Sequence, residues 1–73
     1  MATERVTLRE RRAQETRQLI LDAAYRLFAR QGYGQTSVDG IIAEAGASKG
    51  AFYHHFPSKE ELFRALLEDR IRR

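Results

Sequence analysis

The sequence has no cysteine and no tryptophan, with one proline and one methionine in 73 residues. Without cysteine there is no disulfide staple, no thiolate nucleophile and no cysteine-ligated metal. Long hydrophobic runs are missing too: Leu19-Ile20-Leu21 and Ala23-Ala24-Tyr25 stop at three residues. A membrane span requires roughly 18. Behind Met1-Ala2-Thr3-Glu4-Arg5 there is no apolar core of a signal peptide. No repeat, low-complexity tract or proline-rich linker interrupts the chain. His54 and His55 are adjacent, and neighbouring helical residues point about 100° apart, which is unsuited to a shared metal. No carboxylate or nucleophile is spaced beside them for acid–base work. The expectation is a protein that is not an enzyme and uses no cofactor.

What remains is a chain 42% hydrophobic and 32% charged, a composition that folds. Its length allows one small domain. The formal charge is +3, and its distribution is uneven. Residues 1–17 hold five arginines against three glutamates. Residues 48–59 hold two lysines, both histidines and no acid. The remaining segments are close to balanced. Two basic patches on a neutral body point to a polyanionic partner.

The chain divides into four helical segments. Thr7 and Glu10 have the form of a capping box, which starts the first helix near Leu8. Ile20, Ala23, Ala24, Leu27 and Phe28 then form one apolar stripe. Gly32 is expected to stop this helix in a left-handed conformation, with Gly34 tightening the link. Thr36 or Ser37 caps a second helix of about eight to ten residues, carrying Val38, Ile41, Ile42 and Ala45 and ending at Gly46. Gly40 is a poor helix former inside it. Ser48 caps a third helix from Lys49 to His55, halted by Pro57. Ser58 and Glu61 suggest a second capping box, starting a fourth helix with a stripe of Leu62, Phe63, Leu66, Leu67 and Ile71. Phe28, Phe52, Phe56 and Phe63 are the expected aromatic core. The predicted fold is all-α: a homeodomain-like three-helix core plus the start of a fourth helix. Residues 1–7 are expected to be a flexible basic arm and residues 8–73 a helix-turn-helix domain.

Two short helices joined by a glycine-containing turn and braced by longer ones form a helix-turn-helix. The second of the pair is the one that fits a DNA major groove about 12 Å wide. With Phe52 facing the core and about 100° per residue, Phe56 and Ser48 share its side, while Gly50 and His54 point away near 160° and 200°. Ala51 and Tyr53 lie on the flanks. That outer face has no carboxylate to repel phosphates, and Tyr53 and His54 carry hydrogen-bond donors for phosphate or base edges. Lys49 and Lys59 stand at the two ends of the segment. The alternative is a small helical module whose basic face meets an acidic protein.

Gly32-Tyr33, Thr36-Ser37-Val38, Ile41, Ala45-Gly46, Ser48-Lys49-Gly50, Phe52-Tyr53-His54-His55-Phe56 and Ser58-Lys59-Glu60-Glu61-Leu62 together resemble the DNA-binding domain of the tetracycline-repressor (TetR) family. The resemblance covers roughly residues 14–67. It implies a cytoplasmic, nucleoid-associated bacterial repressor that binds a palindromic operator in double-stranded DNA as a homodimer. It also implies a larger C-terminal domain for dimerisation and a small-molecule effector. The 73 residues alone are then expected to be a monomer or weak dimer with no membrane contact. Carried over residue by residue, the resemblance implies phosphate contacts from the Thr36 and Ser37 hydroxyls and the N-terminal amides of the second helix. Ser48, Lys49, Gly50 and Ala51 would approach the groove, with Tyr53 and His55 holding the backbone. His54 would take part in base reading, and Lys59 would clamp a phosphate. Arg9, Arg11 and Arg12 are similar to a basic arm laid along the minor groove. Gly40, Ile42, Ala47, Ala51 and Phe52 depart from the family pattern, and Ala51 lacks a hydroxyl usual at its position.

Overall fold

A computed structural model describes residues 7–72. The helices are α1 (Leu8–Gln31), α2 (Val38–Ala45), α3 (Lys49–His55) and α4 (Lys59–Arg72), with no strand among the described residues. The fold is the all-α arrangement expected from the periodicity. Residues 1–6 of the expected arm, and Arg73, lie outside the described residues. Arg9, Arg11 and Arg12, the residues similar to a basic arm, are on the first turns of α1, which starts at Leu8 as expected. The reason is local. Thr7 Oγ1 accepts from the Glu10 amide at 3.1 Å while the Thr7 amide donates to Glu10 Oε1 at 3.0 Å, so helix begins upstream of the arginines.

Each later helix also starts on a serine. Ser37 Oγ accepts from Gly40 N–H at 2.9 Å, Ser48 Oγ from Ala51 N–H at 3.0 Å and Ser58 Oγ from Glu61 N–H at 3.1 Å. At Ser58 this is a simple cap, without the return bond from Glu61 that a capping box requires. Gly32 closes α1 with φ 90° and ψ 157°, a positive φ but not the left-handed helical conformation expected. Its amide still reaches the Phe28 carbonyl at 2.9 Å.

The core is built on α1, which packs against the other three helices. Ile20, Leu21, Ala23, Ala24 and Leu27 of α1 close on Ile41, Phe52, Phe56, Leu62 and Leu66. Phe52 is completely buried, and truncating such a side chain to alanine costs about 3–5 kcal/mol. Only two of the four phenylalanines belong to this core. Phe28 is half-buried and packs against the edge of this core, while Phe63 is exposed; with Tyr33 they form an aromatic cluster with ring centroids 5.2–5.7 Å apart. The α4 stripe splits in the same way: Leu62 and Leu66 are buried, whereas Leu67 and Ile71 are exposed. One helix face cannot turn five apolar residues toward a single neighbour, so Phe63 and Leu67 edge an open apolar hollow beside Tyr25, Phe28 and Ala29.

Candidate nucleic-acid interface

The turn between α2 and α3 is closed by backbone alone. Gly46 takes the left-handed conformation, φ 71° and ψ 28°, which suits a residue without Cβ. Its amide donates to the Ala43 carbonyl at 3.3 Å, and the Ala47 amide donates to the Ile42 carbonyl at 3.2 Å. This is the paired hydrogen-bond pattern of a Schellman ending. Three residues separate the helices, Gly46 to Ser48, as the sequence indicates. At the far end of α3, Phe56 is extended (φ −137°, ψ 115°) ahead of Pro57, and its amide bonds the Phe52 carbonyl at 2.8 Å.

Between these limits the seven residues of α3 sort by face. Phe52 is buried, Ala51 and His55 are half-buried, and Lys49, Gly50, Tyr53 and His54 are exposed. Tyr53 stands edge-on to Phe52, 5.1 Å between centroids, which fixes its ring while leaving the phenol outward. The His54 and His55 rings meet edge to face at 5.0 Å. Burial holds the His55 imidazole below its usual value, with smaller contributions from His54 and Arg17. Lys49 has a single carboxylate nearby, Asp39 of α2 at 3.9 Å, with both side chains largely in solvent. Such a pair is worth little and yields readily to a stronger anion.

Ser37 and Ser48 are exposed N-caps; each accepts an amide hydrogen bond and keeps its hydroxyl proton for an external acceptor. Thr36 is different. Its side chain is buried, donates to the Gly32 carbonyl at 2.8 Å and accepts from Gln31 Nε2 at 3.4 Å. The expected phosphate contact from the Thr36 hydroxyl is therefore corrected: its proton is committed inside the α1–α2 link. Lys59 is a different case. Its ammonium donates to the carbonyls of Tyr33 and Thr36, each at 3.0 Å, and lies 4.1 Å from the Tyr33 ring centroid. Lys59 thus ties the start of α4 to the link before α2 with two of its three N–H donors, and its part-exposed charge stays available to a phosphate.

Residue-by-residue reading of the sequence missed Arg17. It is on α1, and its guanidinium lies 5.2 Å from the centroid of the Phe56 ring. Thirty-nine positions separate the two residues, and no local spacing announces such a contact.

A helix-turn-helix with a basic outer face on its second helix defines a DNA-binding domain of the kind used by transcription regulators. A family model described as "Bacterial regulatory proteins, tetR family" matches residues 20–66. The chain belongs to this family, and the match identifies it as the N-terminal DNA-binding domain. It is 52% identical over 56 residues to the HTH-type transcriptional regulator AcrR of Shigella flexneri, covering 77% of this chain and 26% of that protein. It is 46% identical over 56 residues to the HTH-type transcriptional regulator TtgR of Pseudomonas putida, covering 77% and 27%. With the HTH-type transcriptional regulator SrpR, also of Pseudomonas putida, the identity is 45% over 58 residues, covering 80% and 27%. The chain thus spans about a quarter of the length of these curated relatives. No solved structure matches it. Among the described residues no helix is long and apolar enough to cross a membrane.

Proposed function

We propose that this domain reads a palindromic operator in double-stranded DNA, as the DNA-binding part of a homodimeric cytoplasmic repressor at the nucleoid. In this reading α3 lies in the major groove. Gly50 and Ala51 permit close backbone approach, Lys49 and His54 address base edges, and Tyr53 and His55 hold the phosphates on either flank. Ser37 and Ser48 supply hydroxyl donors at the helix starts. Arg9, Arg11 and Arg12 approach the duplex from the first turns of α1. Thr36 is left out, because its hydroxyl proton is used within the fold; Lys59 keeps its charge and a third donor for a phosphate at the start of α4. The dimer interface and the effector pocket belong to the remainder of a longer regulator.

The observation that carries this reading is the exposed surface of α3, where Lys49, Gly50, Tyr53 and His54 stand together without a carboxylate on the helix. Selection of bound sites from a random duplex library tests it. A defined half-site should emerge, and log K should fall with log[salt] at about −0.9 per phosphate contacted. Equal affinity for selected and scrambled duplexes would overturn the reading. It would favour the protein-interaction alternative.

A further inference from the structure

The flank of α3 that carries His55 is served by a second helix. Arg17 of α1 reaches over Phe56, the residue that follows His55, and is close enough to contribute to the electrostatics of the imidazole. Arg17 forms no ion pair with a carboxylate among the described residues, whereas Arg26 and Arg70 pair with Glu44 and Asp22. His54 stands beside His55 at 5.0 Å, so three cationic or ionisable groups converge around the last turn of α3. A helix C-terminus repels anions through its dipole, so a phosphate held there must be held by side chains. A guanidinium resting over an aromatic ring keeps its N–H edges outward, in the geometry that meets two oxygens of one phosphate.

We infer that Arg17 and His55 form a two-helix anion site that takes one phosphodiester of duplex DNA, with His54 at its edge. The inference rests on the DNA-binding reading above and adds to it a contact from the middle of α1. It gives the complex a phosphate anchor besides Lys59. Bound phosphate supplies a counter-charge where burial first, and His54 and Arg17 after it, oppose protonation of His55 in the free protein.

The experiment compares the 73-residue chain with Arg17→Gln, Arg17→Met and Arg17→Lys on the duplex selected by the unaltered chain and on its scrambled counterpart. Arg17→Gln should make the slope of log K against log[salt] shallower by about 0.9. Affinity should fall for both duplexes, with the preference between them retained. Arg17→Lys should restore the slope. The methionine variant keeps an apolar stem against Phe56 and should give the same slope as the glutamine variant, which separates loss of charge from loss of packing. In the free protein, NMR titration should show the His55 pKa rising in the glutamine and methionine variants, since a repelling charge is gone. An unchanged slope with the sequence preference intact overturns the phosphate site and leaves the DNA-binding reading standing. Failure of the unaltered chain to distinguish the two duplexes overturns both.

Discussion

The ammonium of Lys59 donates to the Tyr33 carbonyl at 3.0 Å while lying 4.1 Å from the centroid of the same residue's ring. A second bond to the Thr36 carbonyl makes one side chain the tie between α4 and the segment that leads into α2. Substitution Lys59→Met removes a charged donor from both carbonyls, and hydrogen bonds of this kind contribute about 1.5–3 kcal/mol each before partial exposure is discounted. The expected loss is about 1–2 kcal/mol of unfolding free energy by urea titration.

On α3, Tyr53 and His54 are expected to separate affinity from preference. Tyr53→Phe should weaken binding to selected and scrambled duplexes alike, by about 1 kcal/mol for one lost hydrogen bond. His54→Ala should change the site recovered from a random duplex library, because base contacts discriminate and backbone contacts do not. Retention of the same selected site by His54→Ala would remove His54 from base reading.

The depressed His55 pKa gives two pH effects of opposite sign. In the unfolded chain the imidazole takes up a proton near its usual pH of about 6.5; in the folded chain it does so only at lower pH. The unfolded state therefore binds more protons across that interval, and stability falls as the pH drops through it. Phosphate favours the imidazolium, so duplex affinity should instead rise over the same interval. Urea unfolding and duplex titration between about pH 7.5 and pH 5.5 would show both trends. His55→Gln should flatten each.

Gly40 is the third residue of α2, and its amide is the one that Ser37 accepts. A Cβ built there would meet Ser37 Oγ at 3.1 Å, a tight approach. The equivalent cap in α3 carries alanine, with Ser48 Oγ 3.0 Å from the Ala51 amide, so the geometry tolerates a methyl. Gly40→Ala should therefore raise stability by about 0.5–1 kcal/mol through helix propensity. Thermal unfolding of the two chains would check this; a lower midpoint would mean that the serine cap is displaced.

Helix boundaries are legible in the sequence because their signals are short-range. Thr7 with Glu10, Ser48 before Lys49 and Gly46 after Ala45 each act within a few residues, and all behave as their chemistry indicates. The buried side of α3 follows from periodicity alone, with Phe52 inward and His54 outward. What the pattern does not disclose is the use of polar side chains across long separations. Thr36 reads as a free hydroxyl until Gly32 is seen beneath it, and Lys59 reads as a phosphate clamp with no tie to the fold until its bonds to the Tyr33 and Thr36 carbonyls are seen. Arg17 lies on a stretch of arginines that looks uniform in sequence, yet it is the one that meets Phe56. The α4 stripe misleads for a related reason: apolar spacing marks a face but does not say how much of it a single neighbour covers.

Every helix begins on a hydroxyl three residues before the amide it accepts. These starts are fixed by bonds that span one turn, before any distant partner has been found. The ordering of this chain is thus a mostly neighbourly affair, and small helical proteins of that kind fold in microseconds to milliseconds. A nascent or heat-disrupted copy would regain its shape quickly, spending little time with Phe52 and its companions open to aggregation.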